Sequence, residues 1–155
     1  KALAIHGRTY NDKFTGSANW DPIYELKKVV SVPVIGNGDI KSAADAVAKI
    51  GNLDGVMVGR GTFGNPWVMR DIVDALRSQK LPQQPTLQAL TFEEKVPFIL
   101  EHCELAVKTK GEKRGMLEMR RHLASYVKGF DGAADLRMKL VLVEKLDDVK
   151  AILCA

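Results

Sequence analysis

The sequence predicts an α/β fold made of parallel β/α units, followed by a small all-α helical bundle. Strand and helix signals alternate over residues 1–78, on the short connections that are typical of a parallel sheet covered by helices. A segment rich in proline and glutamine follows, and helix signals alone come after it. We therefore divide the chain into a β/α part at 1–78, a linker at 79–91 and a helical domain at 92–155.

Three short apolar runs are the predicted strands, at residues 2–6, 32–36 and 54–58. Each ends at or beside a glycine. The second run continues an almost unbroken apolar stretch that begins at Val29, as expected for a strand covered on both faces. The chain starts inside the first run, without an initiator methionine, so we interpret it as a piece of a longer protein.

Helix-start signals precede the three helices predicted in the β/α part, at residues 20–30, 43–50 and 67–77. Asp21 and Asn65 each stand directly before a proline, which is the pattern of a capping residue followed by proline at the first helical position. Ser42 and Asp45 form a pair that resembles a capping box.

The helical domain is predicted to contain helices at about 91–108, 116–128 and 133–146, with 149–153 as a continuation of the last. Thr91 and Glu94 form a second capping box, and Pro97 is a candidate kink. The apolar residues of the first helix lie on one stripe and are expected to be buried: Phe92, Val96, Ile99, Leu100 and Cys103.

Composition places the chain among ordinary globular proteins. Of its 155 residues, 46% are hydrophobic and 27% are charged, which argues against a disordered chain. No apolar run approaches the ~20 residues that a membrane span requires, and none resembles a signal peptide. Because two cysteines cannot form a disulfide framework, we expect a cytoplasmic location, with neither a membrane nor a metal as partner.

The net charge of +4 is concentrated in residues 108–128, where seven lysines and arginines stand against two glutamates. If this segment is helical, Arg114, Arg121 and Lys128 recur every seven residues and lie along one ridge. Taken alone, this ridge indicates either a solvated helix face or a surface for an anionic partner. The apolar residues on roughly the opposite side are expected to be buried: Met116, Met119, Leu123, Tyr126 and Val127.

Three predicted strand ends combine glycine with polar or charged residues: His6-Gly7-Arg8, Gly36-Asn37-Gly38-Asp39 and Gly59-Arg60. The carboxyl ends of parallel strands meet at one edge, where ligands bind. Glycine lets backbone N–H groups approach an anion, and arginine adds a bidentate donor. Each glycine could equally be a turn residue, but two such ends on consecutive strands favour a phosphate site.

A phosphate site of this kind commonly follows the last two strands of an eight-stranded TIM barrel. Three strands cannot close such a barrel, so we expect the closing β/α units of one. His6 is either a core histidine or a strand-end donor, and its place before Gly7 favours the second. Arg8 either faces a ligand or pairs with a nearby acid such as Asp12.

An ordered series of motifs extends along nearly the whole chain. In the β/α part the motifs are Ala4-Ile5-His6-Gly7-Arg8-Thr9, Pro33-Val34-Ile35-Gly36-Asn37-Gly38-Asp39, Asp54-Gly55-Val56-Met57-Val58-Gly59-Arg60 and Gly64-Asn65-Pro66-Trp67. In the helical domain they are Met119-Arg120-Arg121-His122 and Tyr126-Val127-Lys128-Gly129. This series resembles the tRNA-dihydrouridine synthases.

The resemblance implies a flavin enzyme that uses FMN, with NADPH as the reductant, to reduce a uridine of tRNA to 5,6-dihydrouridine. Asn37, Gly38 and Asp39 match a family segment that contacts FMN, and Gly59 with Arg60 matches its phosphate loop. His6 matches a strand-end histidine near the flavin. The helical domain is expected to hold tRNA, and the candidate RNA-binding residues are Arg114, Arg120, Arg121 and Lys128.

The resemblance also implies that no catalytic residue lies in this chain. The proton-donating cysteine of the family belongs to the first half of the barrel, and neither Cys103 nor Cys154 matches it. We therefore expect the chain alone to be inactive and to self-associate through exposed strand edges. Two alternatives stay open: a catalytically silent RNA-binding module, and another FMN barrel oxidoreductase that acts on a small molecule.

Overall fold

The computed structural model describes residues 1–13, 15–83 and 90–154, which fall into two compact units, Lys1–Leu87 and Gln88–Ala155. Part of the predicted linker, residues 84–89, lies outside the described residues. Within the described ranges, no helix combines the length and the apolar character needed to cross a membrane. In the same ranges, no group of three or more His, Cys, Asp or Glu side chains could hold a metal ion.

The first unit contains a three-stranded parallel sheet, which confirms the predicted α/β class. Its strands are β1 (Leu3–His6), β2 (Val34–Asn37) and β3 (Gly55–Met57), side by side in chain order. The register pairs Leu3 with Val34 and Ile35 with Gly55. Each strand is shorter than its predicted apolar run: β1 begins one residue later, β2 begins two residues later and extends to Asn37, and β3 lacks one residue at each end.

Three helices and one short turn complete the described part of the first unit. They are α1 (Asp21–Val29), α2 (Ala43–Ile50), a 3₁₀ turn (Arg60–Thr62) and α3 (Val68–Ser78). The core lies between the sheet and the helices, and its fully buried side chains include Ile23, Val34, Ala46, Val68 and Ile72. Trp20 packs in the same core and donates from Nε1 to the Gly38 carbonyl oxygen at 3.2 Å.

Of the three helix caps predicted in the first unit, the structure confirms one and corrects two. Ser42 Oγ accepts from the Asp45 backbone N–H at 3.1 Å, which confirms that cap. Asp21 is the first residue of α1 rather than its cap, and its N–H is held by Asn19 Oδ1 at 3.1 Å. Asn65 does not cap α3: that helix begins at Val68, and only the backbone carbonyl of Asn65 accepts from the Val68 N–H.

Four helices form the described part of the second unit. They are α4 (Phe92–Lys110), α5 (Glu112–Tyr126), α6 (Ala133–Leu140) and α7 (Leu146–Leu153). The capping box at Thr91 and Glu94 is confirmed, with both reciprocal hydrogen bonds present. The apolar stripe of α5 is buried as predicted. A side chain at Gly115 would come within 2.7 Å of the Ala106 carbonyl oxygen, so this glycine permits close contact between α4 and α5.

The prediction of one helix over 133–146, with 149–153 as its continuation, is wrong. α6 ends at Leu140, and α7 begins at Leu146. The break has a local cause, because Asp148 Oδ2 accepts from the backbone N–H groups of both Glu144 and Lys145 at 2.9 Å. These bonds satisfy donors that precede α7 and thereby start a new helix.

Candidate functional site

The sheet register brings three strand-end side chains to one level. His6 on β1 pairs with Asn37 on β2, and Asn37 pairs with Met57 on β3. Paired residues of neighbouring parallel strands point to the same face, so these side chains form a row. Asn37 Nδ2 lies 3.3 Å from Met57 Sδ, which orients the amide. Sequence reasoning missed Met57, although its place next to the Val58-Gly59 strand end was a usable signal.

His6 is exposed, so it is a strand-end residue and not a core histidine. Its Nδ1 accepts a hydrogen bond from the Arg8 backbone N–H at 2.9 Å. A neutral imidazole that accepts at Nδ1 carries its proton at Nε2. The ring therefore presents an Nε2–H donor at the end of β1.

Arg8 and Asp39 link the ends of β1 and β2 through a bidentate ion pair. Arg8 Nη1 and Nη2 donate to the two carboxylate oxygens of Asp39 at 2.7 and 2.8 Å. The same guanidinium donates to the carbonyl oxygens of Thr15 and Gly16 at 3.2 and 2.6 Å, and the Arg8 side chain is only 6% exposed. Arg8 therefore fixes the loop, and its partner is Asp39 rather than Asp12.

The Asp39 carboxylate is held by hydrogen bonds from the surrounding loop. The hydrogen bonds from Arg8, and after them the one from the Ala18 N–H at 2.8 Å, lower the pKa of Asp39 from 3.8 to about 2. Asp12 serves a separate turn, in which its carboxylate accepts from the backbone N–H and the hydroxyl of Thr9 at 2.7 and 2.8 Å. Asp39 thus positions the strand ends, and the exposed His6 and half-buried Asn37 are the residues beside it that face outward.

Packing explains three of the glycines at or next to the strand ends. A Cβ at Gly36 would lie 2.2 Å from Trp20 Cζ3, and one at Gly61 would lie 2.5 Å from the Ile40 carbonyl oxygen. Gly38 has φ +133°, and a Cβ there would meet Ala18 at 2.6 Å. Around Gly59, by contrast, the described structure has nothing within 4 Å of a Cβ position.

The end of β3 is therefore open at Gly59. Its carbonyl oxygen accepts from the Thr62 N–H and hydroxyl at 3.1 and 2.9 Å, which closes the 3₁₀ turn. Gly59 and Arg60 are both exposed. Nearby in the chain, the buried Asn65 Oδ1 has no hydrogen-bond partner among the described residues. An exposed guanidinium beside an unobstructed backbone suits a phosphate group.

The basic residues predicted to contact RNA separate into two groups in the second unit. Arg121 and Lys128 are exposed, and Arg114 is exposed while paired with Glu118 at 3.0 Å. Arg120 is half-buried instead, and its Nε donates to the Val143 carbonyl oxygen at 2.9 Å. Arg120 therefore anchors the turn between α6 and α7, a role that no local spacing indicates.

The surroundings of Cys103 are not those of a reactive thiol. Cys103 is buried in α4, and burial raises its pKa to about 11, so the thiol stays protonated at neutral pH. Cys154 is exposed just after the end of α7.

Comparison with known proteins identifies the family. A family model described as dihydrouridine synthase matches residues 1–155. The chain belongs to the dihydrouridine synthase family. Similar proteins include the probable tRNA-dihydrouridine synthase of Mycobacterium leprae (strain TN), 38% identical over 155 residues, and the tRNA-dihydrouridine synthase B of Pseudomonas syringae pv. tomato, 37% identical over 153 residues. The tRNA-dihydrouridine synthase B of Pasteurella multocida is 34% identical over 156 residues.

These dihydrouridine synthases are longer than the chain. The matches cover 98%, 97% and 93% of this chain, but only 39%, 43% and 46% of the M. leprae, P. syringae and P. multocida proteins. The chain thus spans about two-fifths of the length of these relatives.

Proposed function

We propose that this chain supplies the phosphate-binding end of an FMN barrel and the tRNA-contacting region of a tRNA-dihydrouridine synthase that uses NADPH. The observation that carries the proposal is the open β3 end, where Gly59 has unobstructed space and Arg60 is exposed. The family membership and the parallel β/α architecture support it. On this proposal, β1, β2 and β3 are the closing strands of a TIM barrel.

The residues at the strand ends fit an FMN cofactor by their donor types. Gly59 and Arg60 would hold the phosphate, because backbone N–H groups and a guanidinium are both anion donors. His6 would offer its Nε2–H, and Asn37 its amide, to the polar edge of the ring system. The reduced cofactor, when bound, supplies the hydride that saturates the uracil 5,6 double bond. Asp39 keeps His6 and Asn37 in place through Arg8.

We propose that the proton for the second uracil carbon comes from a residue outside this chain. Cys103 is buried with a raised pKa, and Cys154 matches no family position. We therefore propose that the chain is inactive alone and that the missing cysteine belongs to the first half of the barrel. The base must leave the stack to reach such a pocket, and exposed Arg114, Arg121 and Lys128 would hold the backbone around it.

A chimera tests this proposal most sharply. In the M. leprae relative, the matched segment is replaced by this chain, and the purified protein is assayed for bound FMN and for NADPH-dependent dihydrouridine in a tRNA transcript. We expect product from the chimera and none from the 155-residue chain alone. A folded chimera that retains no FMN would contradict the proposal, and turnover by the chain alone would contradict the need for the missing half.

A matched pair of arginine variants sharpens the same assay. Arg60→Ala should lower FMN retention by about tenfold, since a charge-assisted contact to phosphate is lost. Arg77→Ala, an exposed arginine at the end of α3, is the control and should retain FMN like the parent chimera.

A further inference from the structure

Positively chargeable groups line up where α4 and α5 pack against each other. The two helices run antiparallel, since Lys110 pairs with Glu118 near one end and His102 contacts Tyr126 toward the other. We call this line of groups the α4–α5 seam. It comprises Lys95, His102 and Lys110 on α4, Arg121 and His122 on α5, and Lys128 just after α5.

At one end of the seam two lysines lie near each other. Burial lowers the pKa of Lys95, and the positive charge of Lys128 lowers it further. The charge of Glu94 acts in the opposite direction and raises the pKa of Lys95, while the same carboxylate accepts from the Thr91 N–H at 2.7 Å. In the described part of the chain neither lysine takes part in an ion pair, so this end keeps an excess of positive charge.

At the other end two cations share one carboxylate. Lys110 and Arg114 both donate to Glu118, and these hydrogen bonds lower the pKa of Glu118. Arg121 is exposed on the following turn of α5. This end therefore also carries an excess of positive charge.

The middle of the seam contains two histidines in contact. The ring centroids of His102 and His122 lie 5.1 Å apart, and His102 Nδ1 lies 3.2 Å from the Tyr126 hydroxyl. Burial lowers the pKa of both imidazoles, and the charges of His102, Arg121 and Lys110 lower that of His122 further, against an opposite effect of Glu118.

The helices that pack on α4 and α5 also carry charged and polar groups, and the described structure shows their partners. Lys150 of α7 forms an ion pair with Glu104 of α4 at 3.1 Å. From the α6–α7 turn, the contact to α5 is made by carbonyl oxygens that accept from Arg120. The lowered pKa values favour the neutral form of both imidazoles at pH 7.

The length of the seam indicates the kind of ligand. From Lys95 to Lys110 α4 rises ~22 Å, at about 1.5 Å per residue. This distance exceeds the span of a single phosphate group and suits several consecutive phosphates of a nucleic acid strand.

We propose that the α4–α5 seam is a track for the phosphodiester backbone of RNA, and that the His102–His122 pair takes up a proton when the backbone binds. This inference rests on the proposed function and adds Lys95, Lys110 and the two histidines to the RNA-contacting residues. A phosphate beside the imidazoles favours their charged form, whereas without it the neighbouring cations disfavour that form. By linkage, RNA binding must then strengthen as pH falls through the range in which the pair titrates.

Filter binding of a tRNA transcript to the full chain at about pH 6 and about pH 8 tests the inference, since phosphodiesters do not titrate in this range. We expect about fivefold tighter binding at the lower pH. The double variant His102→Gln/His122→Gln should bind equally at both pH values. Thermal unfolding of this variant checks that the hairpin still folds.

Lysine variants test the track independently of the histidines. Lys95→Gln/Lys128→Gln should weaken binding about tenfold at both pH values and reduce the salt dependence by about two released counterions. Lys139→Gln, an exposed lysine on α6, is the matched control and should bind within about twofold of the parent.

The outcomes separate this inference from the proposed function. Binding that does not change with pH, or a histidine variant that keeps the full pH effect, overturns proton uptake by the pair and leaves the proposed function standing. If Lys95→Gln/Lys128→Gln binds tRNA with unchanged affinity, the proposed track for the RNA backbone is overturned. If no tRNA binds at either pH, the track and the RNA-contacting part of the proposed function fall together, while FMN retention by the chimera is still measured separately.

Discussion

The ends of β2 and β3 both carry glycine, but for opposite reasons. At β2, Gly36 is fixed by the Trp20 ring, and a side chain there would overlap it at 2.2 Å. At β3, no neighbouring atom in the described structure requires Gly59 to lack a side chain. The difference distinguishes a glycine that the fold requires from one that is a candidate for contact with a ligand. Packing explains Gly36, whereas it leaves Gly59 unexplained.

Replacing the β2 glycine should give the largest loss of stability. In Gly36→Ala the new methyl group displaces Trp20, whose Nε1 is also held by the Gly38 carbonyl oxygen. We expect the free energy of unfolding to fall by about 3 kcal/mol in urea titrations. The matched change Gly59→Ala should cost under about 1 kcal/mol, and an equal cost at both positions would break the comparison.

The Arg8–Asp39 pair should give the next largest effect. Asp39→Asn removes a charge partner from the nearly buried Arg8, so the free energy of unfolding at pH 7 should fall by about 2 kcal/mol. Asp12→Asn is the control, since Asp12 is exposed and serves only a local turn.

The pH dependence of the same pair has a defined sign. The pKa of Asp39 is lower in the folded chain, about 2, than its ordinary value of 3.8. Its contribution is therefore complete above about pH 4 and is lost as pH falls toward 2. The difference in unfolding free energy between the parent and Asp39→Asn should shrink over that range, and a difference that stays constant would contradict a charge-based role.

The second unit offers the same contrast between two neighbouring arginines. Arg120→Ala removes a hydrogen bond to the Val143 carbonyl oxygen and should cost about 1 to 2 kcal/mol of unfolding free energy. Arg121→Ala should change stability by less than about 0.5 kcal/mol, because Arg121 is exposed. For tRNA affinity we expect Arg121→Ala to cause the larger loss. A larger loss in Arg120→Ala would contradict the division between a structural and an RNA-contacting arginine.

Local patterns predicted the elements well. The spacing of apolar residues and the Ser42–Asp45 pair located α2 at its observed bounds, and the box at Thr91 and Glu94 located the start of α4. These features depend on residues within one helical turn, where sequence spacing and spatial distance are directly related.

Long-range partners could not be predicted in the same way. Arg8 and Asp39 are 31 positions apart, and Arg120 and Val143 are 23 apart, so no periodicity connects them. The candidate site was predicted as a set of strand ends, but the sequence could not separate Asp39, which fixes the loop, from Gly59, which leaves space beside it. That separation requires the coordinates of Trp20 and Ala18, whose side chains leave no room for a Cβ at Gly36 and Gly38.

The most direct test of the open β3 end is a ¹H–¹⁵N correlation spectrum of the full chain during titration with FMN, a measurement that reports weak binding residue by residue. We predict that the amide signals of Gly59, Arg60 and Gly61 shift most, with smaller shifts at His6 and Asn37, and that Arg60→Ala reduces them. Shifts confined to α2 and α3, or to the second unit, with Gly59 and Arg60 unchanged, would contradict the account.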